Sequence, residues 1–543
     1  MEGDFVSHGG FLHPSIGFST ETRTLEIVDP VAVPESSDSA ASVNKDGATQ
    51  GNSSVMMMRI PKASMITFDL AVSLLSPWWP NVKESIEDLQ ESRKLYSSIW
   101  DVLLALALAY LQDTPGATTT SKEDQIARAY LATLPSDSTA YLNAVPWRWS
   151  ERDLETRLRG SPLLNRARQV KEGVRKDYSC IVETFHLRNS GNRAETGSKD
   201  VIFPVSLDRY CDMMVVVSSR AFVIDASTDA PQPEVALIPI LDLCDHCRGG
   251  QDNQAKKKNL SYNVTQDGSM IVQSTSHGSP VLPVGETLRL TYGAKGNADL
   301  LLHYGFAIPF NLEPDGSSND ILELTVPTAV GAVSSSNESL IRLRTGPKAY
   351  TYGCLVKALE AFQSSTKVSS SLEENLGPSK VDMESFLDEE EDEDDEEDAE
   401  EEEDVDLYGE VSSPVGDMNT GDIDGEVVAL ERFGKAIEEH LGAYSLSDSE
   451  IHNLLANKGP DADYYSALLI HAEKRTLHFF AIAVHKILAH LQQDKQLSTV
   501  QNMILPNQIY TDSVTEQQID ELVKAYMIIR HNKETEDSVG LGS

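Results

Sequence analysis

Apolar residues at positions 82, 86 and 89, and again at 96, 99, 103, 106 and 110, recur every three to four residues. That is the spacing which lays one face of a helix against a core, so 71–194 is predicted to be helical. One Pro/Trp-rich turn at 145–149 interrupts it. Between 201 and 310 the texture changes to short β-branched runs, 213–217, 221–224, 235–240 and 287–291, separated by Gly, Pro and Asp. These predict strands of a small, loop-rich β domain. A further run at 320–325 reads as a strand, and 349–363 as a helix. Helical patterning returns at 427–441, 447–457, 462–493 and 515–530, the third long enough for one extended helix. Two stretches, 35–54 and 364–425, are polar or acidic with almost nothing apolar to bury. They cannot offset their ordering entropy, and are predicted to be disordered or loop-like.

The length of 543 residues allows two to four domains and an ample core. Charge narrows the function classes. The formal net charge is −40, and the tract 388–404, acidic except for Ala399, accounts for 16 of it. The remainder is still about −24, which disfavours attraction to a phosphate backbone and hence direct nucleic-acid binding. Five cysteines, at 180, 211, 244, 247 and 354, form no dense disulfide framework and point to a reducing compartment, cytoplasmic or nuclear. The amino-terminal residues carry no basic segment followed by an apolar one, so no export signal is expected. The longest apolar run, 102–111, is about half of the roughly 20 residues that cross a bilayer, so a soluble protein without a membrane partner is expected.

Motifs for phosphate cradling, dinucleotide binding, zinc proteolysis and serine hydrolysis are absent from the sequence. The cluster Cys244-Asp245-His246-Cys247 has metal-ligating residue types but no second pair at similar spacing. Zinc needs four ligands, so the favoured reading is two buried free thiols beside a functional histidine, with no metal.

The same cluster falls within an ordered set of blocks. Ser219-Arg220-Ala221-Phe222 comes first, followed by Pro239-Ile240-Leu241-Asp242-Leu243-Cys244-Asp245-His246. Tyr292-Gly293 and Leu301-Leu302-His303-Tyr304-Gly305-Phe306 complete the set. In this order they resemble the SET-domain protein methyltransferases of the Rubisco large-subunit methyltransferase type. Gly9-Gly10 with His13-Pro14, Arg59-Ile60-Pro61 with Met65-Ile66-Thr67, and Tyr444-Ser445-Leu446 with Glu473-Lys474-Arg475 extend the likeness over nearly the whole chain.

The resemblance implies an α+β fold, with a β-rich SET core interrupted by a helical insertion and followed by an α-helical substrate-binding domain. The implied boundaries are 1–70 for the first part of the core, with its polar loop 35–54, then 71–200 for the insertion and 201–310 for the second part of the core. The helical domain covers 320–535 and is interrupted by a disordered acidic insertion at 364–425. The implied cofactor is S-adenosyl-L-methionine. Tyr292 is the implied catalytic residue, orienting the nucleophile and accepting a weak C–H···O contact from the methyl. Arg220, Asp245, His246, Tyr292, Phe306 and the loop residues Arg23, Thr24 and Leu25 are the implied cofactor contacts, with Arg220 suited to the methionine carboxylate. Arg220, Asp242, Tyr262 and Tyr304 are the implied substrate contacts.

Two positions depart from the family pattern. Asp245 stands where the family has Asn, and Thr24 where it has a cofactor-loop glycine. The implied function is methyl transfer from S-adenosylmethionine to a lysine, or with less support a histidine, of a non-histone protein. The expected partner is a protein substrate with a basic surface, and the expected state is a monomer. The alternative is a catalytically inactive SET-fold interaction protein that binds basic partners through its helical lobe and acidic tract. A third reading, a histone chaperone-like acidic binder, rests on 388–404 alone, and such runs are usually solvated linkers.

Overall fold

The computed structural model describes residues 10–19, 24–32, 54–114, 122–134, 138–190, 202–225, 234–247, 260–275, 281–313, 316–326, 339–347, 351–363, 423–495 and 513–540. The acidic tract, Arg23 and the polar stretch up to residue 53 lie outside them. Residue 54 begins a strand and residue 423 a helix, so both predicted loop regions end slightly earlier than expected. The chain divides into two compact units. The first comprises Met1–Ile321 with Gly442–Lys474, the second Leu322–Leu441 with Arg475–Ser543.

The first unit has a sheet part and a helical part. One antiparallel sheet orders Phe11–Leu12, Ser54–Ile60, Met270–Thr275 and Leu260–Val264 side by side. Four two-stranded ladders accompany it. Ile16–Phe18 pairs with Leu25–Ile27, Val31–Ala32 with Val281–Leu282, and Ala221–Asp225 with Glu234–Leu237. The fourth, Asp245–His246 with Arg289–Leu290, is parallel. Met57, Met58, Ile60, Ile27, Leu241 and Val272 are buried in a core under these strands. A second, larger core gathers the apolar faces of the helices, centred on Ile99–Asp113, in which every residue from Val102 to Ala109 is buried.

One predicted strand is a helix. The run 213–217 lies in the helix Leu207–Arg220, capped by the Ser206 side chain, which accepts from the Arg209 amide. Its β-branched residues favour a strand locally, but Tyr210, Cys211 and Met213 through Val217 are all buried. The packing gain from a helix buried nearly all round outweighs a weak intrinsic preference. The runs at 221–224 and 235–240 contribute the strands Ala221–Asp225 and Glu234–Leu237. The Pro/Trp-rich turn is a short 3₁₀ turn, Pro146–Arg148.

The second unit pairs Leu322–Val326 with Ser339–Leu343 and packs helices around Phe362, Phe433, Phe480 and Tyr526. There Glu426 is buried, accepting from Tyr526 and pairing with Arg530 at 3.1 Å. Among the described residues no helix is long and apolar enough to cross a membrane.

In the first unit, residues 442–474 are joined to the turn after the helix Glu151–Leu158 by a buried carboxylate. Glu473 accepts from Ser161 Oγ at 2.8 Å and from the Tyr444 hydroxyl at 3.0 Å. Burial raises its carboxyl to about 8 against those two hydrogen bonds. A group that keeps its proton in the folded state and loses it in the unfolded one makes stability fall with pH. This contribution is complete below the ordinary glutamate range and is lost as pH rises to about 8. Glu473→Gln should therefore flatten the dependence of stability on pH between the ordinary glutamate range and about 8, measured by urea unfolding across that range. An unchanged slope would show that Glu473 is ionised in the fold.

Candidate functional site

The four sequence blocks meet at one cavity of about 480 Å³ in the first unit. Arg220 reaches it from the carboxyl end of Leu207–Arg220, and Phe222 from the strand that follows directly. Asp242 comes from the 3₁₀ turn Leu241–Leu243, Tyr262 from Leu260–Val264, and Tyr292, Lys295 and Tyr304 from the segment after Arg289–Leu290.

At its polar end is a buried ion pair. The Arg220 guanidinium donates to Asp242 Oδ2 and to the Asp242 carbonyl, both at 3.1 Å, and to the Tyr141 hydroxyl at 3.1 Å. The Tyr130 hydroxyl donates to the same Asp242 oxygen at 2.9 Å. Two donors therefore share Oδ2, while Oδ1 is buried with no hydrogen-bond partner among the described residues. Burial pushes the Asp242 carboxyl above the usual carboxylate range, and Arg220 and Tyr130 pull it back.

The turn carrying Asp242 is strained. Ile240, a buried β-branched residue, adopts φ +76°, which costs about 1–3 kcal/mol. The bend lets the Leu243 amide bond the Ile240 carbonyl and the Asp242 amide bond that of Ile238, which aims Asp242 inward.

Aromatic rings line the remainder. Tyr292 and Tyr304 stack at 5.1 Å and 21°, and Tyr262 meets Phe222 edge-on at 5.9 Å. The Tyr292 hydroxyl donates to the Cys244 carbonyl at 2.8 Å, and burial raises its pKa. It remains a phenol whose oxygen lone pairs are available as acceptors. Burial pushes Tyr304 up to about 12. Gly305, at φ +77°, ends the helical turn Leu300–Tyr304, and a Cβ there would lie 2.5 Å from that of Ala144. Only glycine fits after Tyr304.

Behind Tyr292 lies a second aromatic group. The His246 ring sits 4.8 Å from Tyr292 and 6.0 Å from Phe306, and its Nδ1 accepts from the Tyr292 amide at 3.1 Å. Asp245, next to it on Asp245–His246, is exposed.

The structure thus brings Arg220, Asp242, Tyr262, Tyr292 and Tyr304 to the cavity, and His246 and Phe306 to the far side of Tyr292. It places the Arg220 guanidinium against Asp242 and Tyr141. Thr24 and Leu25 are buried in the hairpin Ile16–Phe18/Leu25–Ile27 and do not line the cavity. Cys244 and Cys247 are buried and do not line the cavity. The sequence reading assigned no role to Phe222, Tyr130, Tyr141 or Lys295. Phe222 stands in a quoted block and could have been found there, whereas Tyr130 sits in an ordinary amphipathic helix and carries no local signal.

Comparison with solved structures places this arrangement in a known fold. The chain is similar to the SET domain of LSMT bound to lysine and AdoHcy, with a TM-score of 0.54 and 15% identity over 91% of each chain. It is also similar to Rubisco LSMT bound to sinefungin and monomethyllysine, with a TM-score of 0.51 and 16% identity over 95% of this chain and 97% of that one. Rubisco LSMT bound to AdoMet aligns with a TM-score of 0.50 and 16% identity over 91% and 92%. The fold is α+β, a SET core with a helical insertion and a helical carboxyl-terminal region, of the LSMT type. No protein-family profile matches the sequence. No curated protein matches it.

Removing one partner of a buried ion pair leaves the other uncompensated, at a cost of about 3–5 kcal/mol. Asp242→Asn should therefore cost about 3 kcal/mol, and Tyr130→Phe, which deletes one hydroxyl from a doubly bonded oxygen, only about 1 kcal/mol. Urea unfolding of both variants and of the double variant checks this. Equal losses would mean that the Arg220–Asp242 pair is not the stronger tie.

Proposed function

We propose that this chain is an S-adenosylmethionine-dependent protein N-methyltransferase acting on a lysine side chain of a non-histone protein, with histidine as the less favoured target. The observation that carries this reading is the aromatic cavity whose lining includes the buried carboxylate Asp242. Aromatic faces suit the aliphatic stem and cationic head of a lysine, and a carboxylate in the lining favours a cationic ligand. The lysine and monomethyllysine bound by the LSMT structures are ligands of that chemistry.

The residues behind Tyr292 fit the cofactor by chemistry. His246 and Phe306 offer ring faces for a purine, and exposed Asp245 offers a carboxylate for an ammonium. Bound there, S-adenosylmethionine would supply the electrophilic methyl. This chain's own residues do the remaining work. Tyr262, Tyr304 and Phe222 orient the amine and exclude water. Asp242 draws the incoming ammonium, which sheds its proton to solvent before it can act as a nucleophile. Tyr292 is held by the Cys244 carbonyl and remains protonated through burial, so it acts as a fixed polar contact and not as a base. The charge of −40 favours a target with a basic surface. A scaffold that binds basic partners without cofactor is the second reading, favoured by Thr24, which is buried where the family carries a glycine.

Calorimetric titration with S-adenosylhomocysteine separates the two, since binding is expected of the enzyme and not of the scaffold. Tyr292→Phe should retain that binding and lose about 100-fold in transfer of labelled methyl to a lysine-peptide array. Transfer at the wild-type rate would remove Tyr292 from the mechanism.

A further inference from the structure

Tyr292 and Tyr304 stack on each other although 11 residues separate them, and the intervening segment is tied down at a point outside the cavity. Asp320 is partly buried there. It accepts from the Asn297 amide at 2.6 Å, from Asn297 Nδ2 at 3.2 Å and from Asn311 Nδ2 at 3.2 Å. Asn297 also clasps Ile308 in both directions, donating to its carbonyl at 3.0 Å and accepting from its amide at 2.8 Å. Asn311 donates to the Lys295 carbonyl at 2.9 Å. At Gly296 the chain passes so close that a Cβ would lie 2.9 Å from the Asn319 carbonyl oxygen. Asn297, Asn311 and Asn319 are themselves buried.

A partly buried carboxylate held only by amides, with no cation among its described partners, is a costly way to brace a loop. Burial raises the Asp320 carboxyl to about 6 despite its three N–H donors, and Asp299 nearby adds to the rise. A neutral side chain could fill this volume at lower cost. What the carboxylate adds is a fixed junction of three segments, with 295–297 between the two tyrosines in the chain and 308–311 and 318–320 after Tyr304.

We propose that Asp320, through Asn297 and Asn311, is a positioning residue that sets the stacking of Tyr304 on Tyr292 and thereby the width of the amine cavity, without touching the ligand. The inference uses the methyltransferase reading only to say what the tyrosine pair serves. The geometry it asserts can be measured without any ligand.

The test uses the full chain carrying Asp320→Asn, which replaces one acceptor oxygen with a donor, and Asn311→Ala, which frees the Lys295 carbonyl but leaves the Asn297 contacts. Both are studied at a temperature where native near-ultraviolet circular dichroism is retained. If Asp320→Asn does not fold, Asn311→Ala carries the test. In protein labelled with ¹³C-tyrosine, the ring signals of Tyr292 and Tyr304, assigned by Tyr292→Phe and Tyr304→Phe, should lose their mutual ring-current shifts in the variants. With S-adenosylhomocysteine present, the calorimetric affinity for L-lysine should fall about 10-fold or more, while the affinity for S-adenosylhomocysteine alone stays near wild type. Unchanged tyrosine signals in the folded variants would overturn the proposal and reduce Asp320 to a stabilising contact. A wild-type chain that binds no S-adenosylhomocysteine, yet whose tyrosine signals collapse in the variants, would refute the methyltransferase reading and leave the positioning role standing.

Discussion

The Arg220–Asp242 ion pair is the contact on which the site depends. It joins the carboxyl end of a helix in the large apolar core to a strained turn of the sheet core, and two tyrosines from the helical insertion complete its bonding. A guanidinium at a helix carboxyl terminus is favoured by the helix dipole, and Leu207–Arg220 presents Arg220 at that end. Because the pair is enclosed, each member must be satisfied by the other, and the relative placement of helix and turn is set by a few tenths of an ångström of hydrogen-bond geometry. The strain at Ile240 is tolerated within that arrangement, in which one Asp242 oxygen meets both Arg220 and Tyr130.

The aromatic wall depends on the polar framework in the same way. Tyr292 is fixed through its hydroxyl to the Cys244 carbonyl and through its amide to His246. Tyr304 stacks on it, and the close approach of Gly305 to Ala144 prevents any larger residue from following. The rings supply apolar area and the hydrogen bonds supply direction. An apolar cavity without such fixed polar ends would bind cationic amines weakly and in many poses. Here the lining combines the Arg220–Asp242 pair with the stacked rings of Tyr292 and Tyr304.

Carboxylates that are buried, or partly so for Asp320, recur through the first unit, each with a different set of donors. Asp242 has a guanidinium and a phenol, Asp320 has amides, and Glu473 has two hydroxyls. Burial raises all three carboxyls, and the donors pull each one back. Glu473, with only neutral hydroxyls, is raised to about 8, whereas Asp320, with three N–H groups, reaches only about 6. On a chain of net charge −40, keeping acids in the interior carries a desolvation cost that only specific geometry repays.

Short-range pattern determined much of this protein. The three-to-four spacing from residue 82 to 110 gives the helices Val82–Glu91 and Ile99–Asp113, and the ordered blocks around Arg220, Asp242, Tyr292 and Tyr304 pointed to the SET fold. Periodicity was legible because one face of each helix meets a core, whatever that core contains. It misled at 213–217, where burial on all sides removed the contrast that distinguishes helix from strand and left only β-branched composition to read. The partners within the site were decided by tertiary structure. Tyr130 and Asp242 are 112 residues apart, and Asn297 and Asp320 are 23 apart. Thr24 and Leu25, implied cofactor contacts, are buried at the hairpin Ile16–Phe18/Leu25–Ile27. Which polar side chains meet is set by long-range packing geometry, and no local spacing in the chain encodes it.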